Sequence, residues 1–364
     1  DPSVRSYLVE RVGEVGVDPN LLIKRFDSET DLSARRAIIL ALGEFDPKPL
    51  NHFEDELLKL YFDHPDIGIH SSIEWLLRER WGMAAQLSRP KPTKDGQNWF
   101  INSEGQTFAI IRNPPEFTIG SPDSEVARDV AEKQHRKTIG RNFAIATKEV
   151  TVAEFLKFRP DHPFAKRYSP ETNGPIIGVS WYEAAEYCNY LSRKEGIPKD
   201  QWCYEPNVLL AYADGMKLKP NYLKLKGYRL PTEAEWEYTC RAGSTVDRYY
   251  GRGDSQLPRY AWYLKNSEDR TRPVGRLRPN DFGMFDTLGN VVEWTNDPRT
   301  DDEDAELDDV EFSQHLKVLN SMPRKIRGAA FVYTSPYLRC AIRFDNVPTF
   351  RGTTIGFRPA RTME

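Results

Sequence analysis

The side chains with the most obvious chemical capacity are two carboxylates seven residues apart, Asp286 and Glu293, which bracket a Gly289-Asn290 turn, and four cysteines, Cys188, Cys203, Cys240 and Cys340. Carboxylate oxygens gathered by a tight turn form a hard-oxygen set of the kind calcium prefers. The same residues have a plainer use, because Asn290 and Glu293 can equally hydrogen-bond loop backbone and anchor the strand of Trp294. The cysteines are too few for a disulfide scaffold, and none forms a C-x-x-C pair. The six histidines (His52, His64, His70, His135, His162, His315) show no metal-cluster spacing; His64 and His70, six apart, would point to different helix faces. G-x-S-x-G, P-loop and G-x-G-x-x-G patterns are absent.

Asp297 to Glu311 carries nine acids against one arginine. Such like-charge runs are usually solvated, so a flexible acidic loop is expected, with docking of a basic partner as the sharper reading. Over the whole chain 51 basic and 54 acidic side chains are interspersed, for a net charge of −3, so nucleic acid is not an expected partner. The longest apolar runs fall far short of the ~20 residues a membrane span needs.

The elements that must position these residues fall into two textures. Over residues 1–85, Asp1-Pro-Ser-Val-Arg-Ser-Tyr-Leu, with Gly13-Glu14, recurs as Asp31-Leu-Ser-Ala-Arg-Arg-Ala-Ile, with Gly43-Glu44. Val4, Leu8 and Val12 match Ala34, Ile38 and Leu42 at the spacing of one apolar helix face, and Ile69, Ile73 and Leu77 repeat it more weakly. Helical repeats that bury these faces by stacking are expected, and because the first copy starts at Asp1, more helices or another domain upstream are expected too. Residues 86–97, polar and proline-bearing, read as a linker, and a new domain begins at Asn98-Trp99.

From there aromatics, glycines and prolines punctuate short segments. Two helices are predicted: Trp181 to Arg193, with Ser180 and Glu183 as a capping box, and Thr232 to Arg241, with Thr232 and Glu235 as another. The fold class is therefore α+β, an all-α repeat segment followed by an irregular mixed domain.

Six segments in order carry a resemblance: Phe117-Thr-Ile-Gly-Ser-Pro122, Lys148-Glu-Val-Thr-Val-Ala-Glu-Phe155, the stretch from Pro175 to Cys188, Tyr228-Arg-Leu-Pro-Thr-Glu-Ala-Glu-Trp-Glu-Tyr238, the stretch from Pro279 to Trp294, and Gly356-Phe-Arg358. Residues 98–364 resemble the sulfatase-modifying-factor family, which has the C-type-lectin-like fold of the formylglycine-generating enzyme. The segment at 1–85 resembles HEAT-like repeats. The combination looks like bacterial multidomain signalling proteins, in which an upstream domain of the same polypeptide would be a partner.

The resemblance implies oxidation of a substrate cysteine by two copper-binding cysteines. Tyr333 stands where the first of these is expected, and Thr334 to Arg339 holds no cysteine to serve as the second. No copper is expected, since oxygen donors are poor substitutes for thiolates toward Cu(I). Cys240 and Cys340 match a structural pair of the family, either a disulfide or two packed thiols, whereas Cys188 faces Pro359 where its partner would be and is expected as a buried free thiol. The family's calcium position maps onto Asp286 and Glu293 side chains with the Gly289 and Val291 carbonyls; Trp262 replaces an asparagine of a second site, so at most one calcium is expected. Phe331, Tyr333, Tyr337 and Trp262 are the candidate cleft aromatics, with core packing as their plainer role. The expected function is a non-catalytic binding or scaffold module for a protein or peptide partner. The alternatives are an oxidase of altered chemistry using Cys188 or Cys203 with a metal, and a variable ligand-display protein. The expected compartment is the cytoplasm.

Overall fold

A computed structural model describes residues 1–87, 96–299, 308–311 and 313–364. Most of the expected linker and the centre of the acidic run lie outside these residues.

The N-terminal layer consists of α1 (Pro2–Arg11), α2 (Pro19–Ser28), α3 (Leu32–Leu42), α4 (Glu54–Asp63), α5 (Ile67–Trp75), which runs on through a π-type turn at Leu76–Arg80, and α6 (Ala84–Leu87). The sequence repeat is a capping repeat. Asp1, Asp31 and Asp66 each precede a helix and accept backbone N–H groups of its first turn, satisfying donors that would otherwise be orphaned. Helices α1, α3 and α5 stack in that order. Burial along the repeated face is graded. Ile69, Ile73 and Leu77 are fully enclosed, Leu42 is buried beside half-buried Ala34 and Ile38, and Val4 and Leu8 are exposed. On α1 it is instead Ser6 and Val9 that turn inward, Ser6 donating from Oγ to the Tyr250 carbonyl at 2.8 Å and accepting from the Tyr260 hydroxyl at 3.2 Å.

The remainder contains β1 (Trp99–Ile101), β2 (Thr107–Ile111), β3 (Phe117–Ile119), β4 (His135–Lys137), β5 (Phe143–Ala146), α7 (Val152–Phe158), α8 (Trp181–Lys194), β6 (Tyr204–Glu205), β7 (Lys217–Leu218), β8 (Tyr228–Arg229), α9 (Glu233–Arg241), β9 (Val292–Pro298), β10 (Arg324–Arg327), β11 (Arg343–Asn346), β12 (Ile355–Gly356) and β13 (Ala360–Thr362). One sheet runs β1-β2-β5-β13-β8, antiparallel throughout; a second runs β11-β10-β9-β12, with only β9 and β12 parallel. The class is α+β, helices first and sheets after.

The two predicted capping boxes are present at α8 and α9, and a third, Thr151 with Glu154, starts α7. Helix α8 buries Trp181, Ala184, Ala185, Cys188 and Leu191 in the main core, where Trp181 donates from its indole N–H to the Thr295 carbonyl at 2.8 Å. Strand β9 is buried along its whole length although Glu293, Thr295, Asn296 and Asp297 lie in it. Each of these polar side chains must therefore find a partner inside the protein.

The helical layer lies directly on the mixed domain. Asp281 accepts from Ser33 Oγ at 2.7 Å and pairs with Arg5 at 2.8 Å and Arg36 at 3.5 Å. Arg278 pairs with Glu44 at 2.6 Å, and His70 stacks between Tyr61 and Trp99 at 4.3 and 3.9 Å. Gly68 permits the close approach, since a Cβ there would fall 2.4 Å from the Asp281 carbonyl oxygen. Among the described residues no helix is long and apolar enough to cross a membrane.

Candidate functional site

The expected calcium donors come together around the turn that leads into β9. Asp286 and Asn290 adopt positive φ, 59° and 68°, and Gly289 is pressed against Trp262, whose carbonyl accepts the Asn290 N–H at 2.9 Å. Asp286 Oδ2 accepts the Gly275 N–H at 2.7 Å, while its buried Oδ1 has no hydrogen-bond partner. Burial raises this carboxyl to about 6 against the opposing pull of the Gly275 N–H and Arg358. Glu293 is engaged differently. Arg358 grips both of its oxygens at 2.6 and 2.7 Å, and the Trp236 indole N–H donates to Oε2 at 2.9 Å. Asn290 completes the group, donating to Glu149 Oε2 at 3.3 Å and to the Arg272 carbonyl at 3.2 Å. So both readings of the motif have a physical counterpart: Asn290 and Glu293 hold the loop, and Asp286 keeps one free hard oxygen. Among the described residues no group of three or more His, Cys, Asp or Glu side chains gathers in a form that could hold a metal.

The four described cysteines are fully buried and unbridged. Cys240 and Cys340 share one cluster, and burial followed by the Cys240 hydrogen bond pushes the Cys340 thiol up. Cys188 and Cys203 share the main core; burial pushes Cys188 up and Cys203 to about 12. Neither lines any of the described cavities.

The candidate cleft aromatics separate. Phe331 is fully enclosed, its ring near Tyr168, and its backbone N–H and carbonyl are tied to the Asn290 carbonyl and Ser267 Oγ. Trp262 is half-buried beneath the Arg272 guanidinium. Tyr333 and Tyr337 stay together, their rings 5.8 Å apart, with Phe344 5.6 Å from Tyr333. Tyr337 is 42 % exposed. It sits on the Ser335–Tyr337 turn, whose Ser335 and Pro336 border a groove of about 450 Å³ lined also by Arg248, Arg252 and Asp254.

Much of what else looks like a site is framework. Arg229 and Glu235 form a fully buried two-pronged pair at 2.6 and 2.7 Å, extended by Arg141 to Asp309. Glu237 gathers Arg241, Arg327 and Arg343, and Glu132 receives Arg339. Both ends of the acidic run belong to this framework rather than to a solvated loop. Asp297 accepts the Glu233 N–H at 2.7 Å at the start of α9, and Asp309 accepts from Thr232 Oγ1 at 2.7 Å. Sequence reasoning missed these roles because a count of charges does not show which carboxylates a helix start will claim.

Comparison with known proteins agrees with this architecture. The family model described as sulfatase-modifying factor enzyme 1-like domain matches residues 106–363. The chain is 30% identical over 175 residues to the chaperone protein LppX of Paenibacillus barcinonensis, covering 42% of this chain and 61% of the relative. It is 29% identical over 205 residues to the formylglycine-generating enzyme of Mus musculus, covering 52% of this chain and 44% of that enzyme. The chain thus spans less than two thirds of these relatives' length. The structure of PvdO from Pseudomonas aeruginosa superposes with a TM-score of 0.58 at 26% identity, covering 76% of this chain and 100% of PvdO. With the family model spanning well over half of the chain, from β2 to β13, the protein belongs to the sulfatase-modifying factor enzyme 1-like (FGE-sulfatase) domain family.

Proposed function

We propose that this domain is a non-catalytic binding module that docks a protein or peptide through the face carrying Tyr333 and Tyr337. The observation that carries the reading lies in the segment where the family resemblance implies reactive thiols. Tyr333 and Tyr337 stand there as a ring pair, the turn that carries Tyr337 borders a groove of about 450 Å³ through Ser335 and Pro336, and every described cysteine is buried. Paired tyrosines give rigid contact area at low entropic cost, and Arg248, Arg252 and Asp254 at the groove supply polar specificity. No copper is part of this reading, because no described thiol is accessible to form the soft donor pair. As in multidomain signalling proteins, an upstream domain of the same polypeptide is proposed as the functional partner.

The test is a copper-loading and oxygen-consumption assay with a cysteine-containing peptide, run beside fluorescence-anisotropy binding of a labelled peptide set. Binding that Tyr337→Ala weakens at least tenfold, without loss of the peptide thiol, supports the module. Copper-dependent consumption of the thiol overturns it, as does the absence of any peptide binding.

One calcium ion belongs to the same proposal, held through Asp286 with the Gly289 and Val291 carbonyls. The buried, unpartnered Asp286 Oδ1 supports it. Glu293 joins only if it leaves Arg358. The ion would supply fixed positive charge to a loop of positive-φ residues and no reaction step. Thermal unfolding in millimolar calcium against EGTA tests it: a calcium-dependent rise that Asp286→Asn removes is expected, and identical curves refute the ion.

A further inference from the structure

A second cavity, of about 950 Å³, opens where the helical layer meets the mixed domain, with Tyr61, Glu74, Ala84 and Leu87 on one wall and Lys148, Glu149, Glu154 and Glu171 on the other. Its volume falls in the range of small-ligand sites, roughly 300–1,000 Å³. Six glutamates (74, 79, 104, 149, 154 and 171) line the cavity beside three cations, Arg78, Lys148 and Arg276, and burial, with Asp286 and Glu293 nearby, holds Glu149 well above the usual carboxylate range in the absence of a cation. All three cations are already committed, Lys148 to Glu74 at 2.6 Å, Arg78 to Glu74 at 3.3 Å and Arg276 to Glu79 at 2.9 Å. Glu104 is served from outside the lining by Lys194 and Lys157, at 3.1 and 3.7 Å. Glu149, Glu154 and Glu171 are left with no cationic partner within ion-pair distance among the described residues, and Glu154 spends one oxygen on the Thr151 N–H at 2.8 Å.

A second, independent observation points the same way. Two lining carboxylates are more than nine-tenths buried, Glu74 at 4% exposure and Glu149 at 1%, and each has an oxygen with no hydrogen-bond partner, Glu74 Oε2 and Glu149 Oε1. A buried acceptor left unmade is costly, and such groups call for a donor that the described chain does not supply. The walls between the acids are mixed: Tyr61, Leu87, Ile101, Pro273 and Val274 supply apolar patches among polar residues such as Asn102, Gln106, Thr147 and Asn173. Carboxylates beside such apolar patches suit a cationic head on a short hydrocarbon stem.

We infer that the cavity between the helical layer and the mixed domain binds a ligand bearing a primary ammonium or guanidinium group on an apolar stem, with Glu149 and Glu171 as its principal acceptors. The group can come from a free amine or from a lysine or arginine side chain of a peptide. This inference is independent of the Tyr333 face, and a failure of peptide binding there leaves it standing.

The test is calorimetric titration of the full chain in EGTA, so that no metal ion occupies the carboxylates. The probes are pentylamine, pentylguanidine and pentanol, together with an end-blocked Gly-Gly-Lys-Gly-Gly peptide and its Nε-acetyl-lysine form. Binding of the cationic probes, at least tenfold tighter than pentanol or the acetylated peptide, is expected. Glu149→Gln and the more accessible Glu171→Gln should each weaken it tenfold or more while the variants unfold at the wild-type temperature within a few degrees. If Glu149→Gln misfolds, Glu171→Gln alone decides. A peptide arm tighter than pentylamine assigns a protein-borne side chain, and the reverse assigns a free amine. Equal affinity for pentanol, no binding of any probe, or binding that Glu171→Gln leaves unchanged overturns the inference.

Discussion

Arg358 grips Glu293 with two nitrogens, Nε at 2.6 Å from Oε2 and Nη2 at 2.7 Å from Oε1, and both side chains are buried. The same guanidinium donates to the carbonyls of Ala146, Thr147 and Phe285, so one residue after β12 ties the end of β5 to the turn before β9. A planar fork with five donors can do this and an ammonium cannot.

It follows that Arg358→Lys should behave almost as badly as Arg358→Ala. Removing one member of a buried pair leaves the other charge unpaired, at a cost of about 3–5 kcal/mol. Urea unfolding monitored by tryptophan fluorescence measures it. A loss below about 1 kcal/mol for Arg358→Ala would mean that the pair is incidental to the fold.

The Glu235 carboxylate sits fully buried between Arg229 and Arg141. Burial alone would raise its pKa, yet Arg141 and Arg229 draw it down to about 2. A carboxyl depressed in the folded state contributes stability that is present above its unfolded pKa, about 4.3, and is lost as pH falls through the folded value. Thermal stability should therefore decline from about pH 4 downward. Glu235→Gln should be less stable at pH 7 and show a shallower decline. Parallel curves for the two proteins would remove Glu235 from the account.

Asp297 has the opposite sign. Burial, with Asp309 and Glu233 nearby, raises it to about 8. A carboxyl raised in the folded state contributes stability that is fully present below its unfolded pKa, about 3.9, and is lost as pH rises through the folded value. Asp297→Asn keeps an acceptor for the Glu233 N–H while removing the charge. Its stability relative to wild type should rise between pH 5 and pH 8.5, followed as the difference in melting temperature. A difference that stays flat or falls over that range contradicts the buried placement of this group.

These pairs also mark the limit of what the sequence discloses. The capping boxes at Ser180 and Thr232 were legible because their signal is local, a hydroxyl followed three residues later by Glu. Thr151 with Glu154 carries the same local signal at the start of α7. The family was legible from ordered motifs. The union of Arg358 with Glu293 spans 65 positions and that of Arg339 with Glu132 spans 207, and nothing in composition or periodicity selects such partners. The Val4 and Leu8 face of α1 is exposed for a related reason. Periodicity shows that a helix has an apolar face, and only the neighbours decide whether it is covered.

The packing of the helical layer on the mixed domain includes a close backbone approach at Gly68. At Gly68 an added Cβ would lie 2.3 Å from Arg36 Nε and 2.4 Å from the Asp281 carbonyl oxygen. The arginine side chain can swing aside, but the carbonyl belongs to backbone already fixed by the Asn280 to Met284 turn, in which Asn280 N–H bonds to the Met284 carbonyl at 3.0 Å. Gly68→Ala should therefore separate the layers locally, at a cost of about 1–3 kcal/mol. Hydrogen exchange should quicken in α3 and α5 and at Asp281, while β9 and β10, away from the junction, keep their protection. Asp281→Ala removes the acceptor of Arg5, Ser33 and Arg36 without adding volume and should reproduce the pattern in α1 and α3. Uniform acceleration across β9 and β10 in both variants would show that the two layers unfold as one unit. Unchanged exchange in α3 would show that the junction does not depend on this approach.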